Sequence, residues 1–152
     1  MDILILRDPH EALAKCSLTP LRGLPGVRFV DYHGRRRLAA GERVLLHADG
    51  EELGPADRGQ DLLLLDCAWR RVPKLLRTVD GVLHARRLPS FVSAYPRRSK
   101  TYPDPAQGLA SVEALYLATR LLGEPREDFL AGYHWREDFL AANRERLGGL
   151  RG

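Results

Sequence analysis

The residues best suited to chemistry follow the densest apolar run of the chain. Leu62–Leu65 leads directly into Asp66-Cys67-Ala68-Trp69. Four leucines in a row require cover on both faces, as in a strand inside a parallel sheet. Open α/β sheets bind ligands at the carboxyl ends of such strands, which is where Asp66 and Trp69 fall. A carboxylate there can take a proton as a general base, and an indole beside it can cover a flat or sulfonium-bearing ligand. The same residues also fit a plainer role, with Asp66 as the N-cap of the next helix and Trp69 packed in the core. A second segment, Gly108-Leu109-Ala110-Ser111-Val112-Glu113-Ala114, runs from small residues into a helical pattern. Free backbone N–H groups at such a start can hold a carboxylate or a base edge.

The third feature is charge. The net charge is +4, yet residues 1–66 and 103–152 each sum to −2, and residues 67–102 sum to +8. That block holds Arg70, Arg71, Lys74, Arg77, Arg86, Arg87, Arg97, Arg98 and Lys100 against the single acid Asp80. Of the 24 basic residues, 21 are Arg, whose planar fork matches phosphate and stacks on bases. A GC-rich genome would raise the Arg share throughout the chain but would not cluster it. The block therefore points to a polyanionic partner, with Arg70, Arg71, Lys74, Arg86, Arg87, Arg97, Arg98 and Lys100 as candidate nucleic-acid contacts. Arg97, Arg98 and Lys100 lie between Tyr95 and Tyr102, an interleaving that suits a splayed single strand.

Other chemistries lack their residues. No GxGxxG, P-loop, GxSxG or HExxH occurs, and the five histidines have no ligand spacing. Cys16 and Cys67 form neither a CxxC pair nor a disulfide framework, so no metal is expected. No apolar run approaches the ~18–20 residues that span a bilayer. The start, Met1-Asp2-Ile3-Leu4-Ile5-Leu6, is unlike a signal peptide, so a cytoplasmic location without membrane association is expected.

The elements that must position these groups are legible as well. Strands are expected at Asp2–Arg7, Val27–Tyr32, Arg43–Ala48, Asp61–Asp66, Gly81–Ala85 and Phe91–Ala94. A short helical turn is expected at Glu11–Cys16, a helix start at Gly54-Pro55-Ala56-Asp57, and a helix at Arg70–Val79. Beyond Tyr102 the pattern is helical at Leu109–Leu122, Glu124–Ala131 and His134–Leu147. The chain thus reads as α/β, with a parallel-sheet lobe over residues 1–87 and a mostly α-helical lobe over 88–152 that share a core.

The ordered set Asp8-Pro9, Lys15-Cys16-Ser17, Leu45-Leu46-His47, Gly54-Pro55-Ala56-Asp57, Leu65-Asp66-Cys67-Ala68-Trp69, Arg87-Leu88-Pro89, Leu109–Ala114, His134-Trp135, Phe139-Leu140 and Asn143 resembles the small-subunit ribosomal-RNA aminocarboxypropyltransferase family of ribosome biogenesis. More distantly it resembles the DTW-domain tRNA aminocarboxypropyltransferases. The resemblance implies a SPOUT-like fold with a trefoil knot, a rare exception to unknotted connectivity. It further implies that S-adenosylmethionine (SAM) is bound and that its 3-amino-3-carboxypropyl group passes to N3 of a uridine-type base in ribosomal RNA. A monomer is expected separately from the resemblance. Carried over position by position, Asp66 matches the acid that is the candidate base, and Trp69 the residue on the methionine part of SAM. Ser17 and Leu45 or Leu46 fall beside the ribose. Leu88 and Gln107, Gly108 and Leu109 fall beside the adenine, and Ala114 beside the amino-acid end. The chain departs from the family pattern at Ala68, where a Ser is usual, and at Ala94–Tyr102, which stands in place of an Asn-Pro-Val-Asn-Tyr-Gly loop. A SPOUT-type methyltransferase and a non-catalytic RNA-binding assembly factor are the alternative readings.

Overall fold

A computed structural model gives the fold and describes residues 1–9, 18–94 and 109–149. Five strands form one sheet: β1 (Ile3–Arg7), β2 (Val27–Asp31), β3 (Leu38–Glu52), β4 (Asp61–Asp66) and β5 (Val79–Arg87). Their order across the sheet is β2-β1-β4-β3-β5, and every pairing is parallel. β1 and β4 are central, which is why ILILR and DLLLLD are apolar almost without alternation. The expected turn at Glu11–Cys16 lies outside the described residues.

One face of the sheet carries the helices α2 (Ser111–Leu121), α3 (Asp128–Ala131), α4 (Arg136–Ala142) and α5 (Arg144–Gly148). Leu115, Tyr116, Phe129 and Phe139 from these helices share one buried cluster with Ile3, Ile5, Leu62 and Leu64 of the sheet. The other face packs Leu4, Leu6, Leu45 and Leu63 around Leu75 of the short helix α1 (Val72–Leu76). Alternate residues of β1 and β4 therefore serve two cores, as the two-residue period of a strand dictates.

Several sequence expectations change: the helix expected at Glu124–Ala131 begins at Asp128, and that expected at His134–Leu147 divides at Asn143 into α4 and α5. The third strand runs to Glu52, because β3 makes an excursion at residues 47–50 and then rejoins β5: Leu46 and Glu51 both register with Arg86. The predicted helix at Arg70–Val79 shortens to a 3₁₀ turn, Trp69–Arg71, followed by α1. Phe91–Ala94 is not a strand. The side-chain amide of Asn143 accepts from the N–H of Val92 at 2.7 Å and donates to its carbonyl at 2.7 Å. A single buried amide thus supplies the two bonds that a neighbouring strand would have made.

Candidate cofactor cleft

A cleft of about 440 Å³ opens at the carboxyl ends of β3, β4 and β5. Its floor and near wall come from Leu64, Leu65 and Cys67, and from Trp69, Arg70, Val72 and Pro73 just after β4. The β3 excursion supplies Leu46, His47, Ala48 and Asp49, and the end of β5 supplies Arg86, Arg87 and Leu88. Leu109, Ser111 and Ala114, at the start of α2, close the far side. The volume lies in the range of small-molecule sites, and the lining combines apolar walls with a few polar groups.

Each wall has a local cause. A Cβ on Gly50 would lie 2.3 Å from the carbonyl carbon of Ala85, so only glycine lets the excursion rejoin β5 this closely. Arg87 donates to the Gly50 carbonyl at 2.9 Å, and the Asp49 N–H donates to Nδ1 of His47 at 3.1 Å. The start of α2 is held by Glu113, which is fully buried. Its carboxylate accepts the Ala110 N–H at 2.8 Å, the Ser93 hydroxyl at 2.6 Å, the Ala94 N–H at 3.0 Å and the Tyr133 hydroxyl at 3.0 Å.

The cleft brings together Leu46, Trp69, Leu88, Leu109 and Ala114, five of the residues expected to meet a cofactor. Trp69 is 47% exposed, so it is a wall of the cleft and not a core residue. Of the pair Leu45 and Leu46, the pleat sends the Leu45 side chain to the opposite core and leaves Leu46 in the cleft. Asp66 is not an N-cap: the turn that follows starts at Ala68 and has no side-chain cap. Its carboxylate is buried beside the cleft, not in its lining, with Oδ2 3.6 Å from Nε of Arg7. Ser17, Gln107 and Gly108 lie outside the described residues.

The basic block divides by partner. Arg70 and Arg87 are exposed at the rim of the cleft. Arg86 is committed to Asp57 through Nε, at 3.0 and 3.2 Å from its two carboxylate oxygens. Arg71 pairs at 2.5 Å with the buried carboxylate of Asp8. Lys74 is exposed on α1, away from the lining. Arg97, Arg98 and Lys100 lie outside the described residues. Sequence reasoning missed His47, Ala48 and Asp49. The Asp49-Gly50 pair inside an otherwise strand-like run was the signal for an excursion. Among the described residues, no group of three or more His, Cys, Asp or Glu is gathered to hold a metal, and no helix is long and apolar enough to cross a membrane.

Residues 40–150 match the family described as "Ribosome biogenesis protein, C-terminal". The chain belongs to this family. It is 34% identical over 128 residues to a 16S rRNA aminocarboxypropyltransferase of Halobacterium salinarum, covering 74% of each chain. A protein of the same name from Methanopyrus kandleri is 35% identical over 92 residues, or 59% of this chain and 52% of that one. Among solved structures, the SAM-dependent rRNA:acp-transferase Tsr3 from Vulcanisaeta distributa superposes with a TM-score of 0.73 at 26% identity, covering 97% of this chain and 80% of its own. The parallel α/β sheet is thus common to this chain and that enzyme.

Proposed function

We propose that this protein transfers the 3-amino-3-carboxypropyl group of SAM to N3 of a uridine-type base in ribosomal RNA. The observation that carries the reading is the cleft itself. It lies at the carboxyl ends of three parallel strands, with an exposed Trp69 on its wall, in a chain related over most of its length to enzymes named for this transfer. The residues present suit the cofactor. Leu46, Leu88 and Leu109 offer apolar walls for an adenine, and Trp69 offers an indole face to a sulfonium. The N-terminus of α2, an eleven-residue helix, offers its positive end to a carboxylate.

SAM supplies a sulfonium that makes its γ-carbon electrophilic: an N3–Cγ bond forms, the Cγ–S bond breaks, and neutral methylthioadenosine departs. What remains for the protein is to orient the two reactants and to take the N3 proton. Asp66 is the residue we assign to that proton, on its place between the lining residues Leu65 and Cys67 at the carboxyl end of β4 and on the family resemblance. Arg70 and Arg87 at the rim would meet RNA phosphates. The sequence resemblance also supports a SPOUT-type trefoil knot, and the sequence itself is the ground on which we propose a cytoplasmic protein that uses no metal and acts as a monomer. A sedimentation mass other than about that of the 17.1 kDa chain would refute the last point.

The co-product decides the reaction. Incubation of the protein with SAM and small ribosomal subunits should release methylthioadenosine. Release of S-adenosylhomocysteine would make it a methyltransferase, and no calorimetric binding of SAM would make it a non-catalytic assembly factor. Asp66→Asn should reduce turnover by about 10²–10⁴-fold with little change in SAM affinity.

A further inference from the structure

Arg7 ends β1 and Asp66 ends β4, and the two are direct partners in the parallel register. Ile3 and Ile5 on one strand, and Leu62 and Leu64 on the other, belong to the core beneath the helices, so the pleat places Arg7 and Asp66 next on that same face. Leu64, Leu65 and Cys67 line the cleft, and Asp66 lies between the last two at the end of β4, beside the lining. Arg7 is 1% exposed, and among the described residues none of its three guanidinium nitrogens has a hydrogen-bond partner. Its charge faces Asp66, at 3.6 Å. Among the described residues, the charged groups seen beside the pair are Asp8, whose N–H donates to the Asp66 carbonyl at 3.0 Å, and Arg71, which pairs with the Asp8 carboxylate. Cys67, next in the chain, turns to the cleft lining.

Stability does not explain this arrangement. Burying a guanidinium and a carboxylate costs about as much as their attraction returns, and here the guanidinium also forgoes its hydrogen bonds. Catalysis does explain it. A carboxylate removed from water takes up a proton unless an opposite charge stands beside it, and once protonated it cannot receive another. We propose that Arg7 is a positioning residue of the transfer reaction, holding Asp66 ionised and aimed at the N3 proton although it is buried. This rests on the assignment of Asp66 as the proton acceptor. In the step, the N3 proton passes to Asp66 as the N3–Cγ bond forms and the Cγ–S bond breaks. Asp66 then returns the proton to solvent, with Arg7 favouring that return.

The test is the pH profile of methylthioadenosine release. In Arg7→Gln the acidic limb of turnover should move up by about 1–3 pH units, the effect of removing an adjacent opposite charge. Arg7→Lys, which keeps the charge, should retain a limb close to wild type. In an Asp66→Asn background, Arg7→Gln should leave the profile unchanged, since its effect passes through Asp66. An Arg7→Gln limb that stays in place while Asp66→Asn is inactive overturns the role of Arg7 alone. Wild-type turnover in Asp66→Asn overturns the base assignment and this inference with it. If Arg7→Gln does not fold, a ¹³C NMR titration of Asp66 in the wild-type protein decides: a value below the ordinary ~3.9 supports the proposal, and a value above it overturns it.

Discussion

Glu113 accepts the hydroxyl of Tyr133 at 3.0 Å, across twenty residues of sequence, and the same carboxylate holds the N–H of Ala110 at 2.8 Å. One buried acid thus joins the start of α2 to the chain between α3 and α4, and through Ser93 and Ala94 to the segment after β5. Glu113→Ala would take the shared acceptor away from four donors, two of them on buried residues. The expected loss is about 3 kcal/mol or more of unfolding free energy, read by urea melts. Glu113→Gln keeps the volume but turns one acceptor oxygen into a donor, so about 1–3 kcal/mol should be lost. If both variants melt within about 0.5 kcal/mol of wild type, this carboxylate does not hold the region together.

Gly50 makes a sharper prediction, because its constraint is backbone against backbone. In Gly50→Ala the new Cβ meets the Ala85 carbonyl carbon at 2.3 Å, its oxygen at 2.4 Å and the Arg86 nitrogen at 2.5 Å. The excursion at residues 47–50 must then shift, at about 2–4 kcal/mol of stability. His47, Ala48 and Asp49 move with it, so SAM affinity should fall in the molecules that remain folded. Calorimetry on the folded fraction checks this, and undiminished affinity would detach the excursion from the cofactor wall.

Trp69 should behave in the opposite way. It is exposed in the free protein, so Trp69→Ala should leave the melting temperature nearly unchanged. Covering an indole with a ligand is worth about 1.5–3 kcal/mol, so SAM affinity should fall by about 10–100-fold. A variant that melts early but binds normally would return Trp69 to the core.

Arg70 and Arg87 at the rim predict a salt effect. The double Ala variant should weaken RNA binding and lower the slope of log affinity against log salt by about 0.7 for each lost single-strand phosphate contact. SAM binding should be spared. An unchanged slope in filter binding would move the RNA path away from this rim.

At the amino ends of the strands, the Asp2 carboxylate accepts from Arg28 at 2.7 Å and also pairs with Arg43. Hydrogen bonding from Arg28, aided by Arg43, holds its pKa at about 2 against an ordinary 3.8. The folded value lies below the unfolded one, so this stabilisation is fully present above about pH 4. It is lost as the pH falls toward 2. Solvent reaches a third of the Asp2 side chain, which limits the effect to about 1 kcal/mol. Asp2→Asn should therefore remove part of the stability loss between pH 4 and pH 2 in denaturant melts, and an unaltered pH dependence would exclude the pair as its source.

The sequence by itself determined the parallel sheet and the neighbourhood of the site. Four consecutive leucines in β4 admit no exposed face, and a polar residue at the end of such a strand has only the sheet edge to occupy. The ordered set of short motifs likewise pointed to the family, although each motif alone is weak. Tertiary structure decided which side chains share the cleft. The choice of Leu46 over Leu45 is a matter of pleat phase, and the entry of His47–Asp49 depends on a contact between Gly50 and a residue 35 positions away. That Arg71 serves Asp8 while Arg70 stays at the rim, and that Arg7 rather than solvent faces Asp66, also depend on partners distant in the chain. Local propensity sets the period of an element, whereas the pairing of charges and the phase of a strand are settled only when non-neighbouring segments pack together.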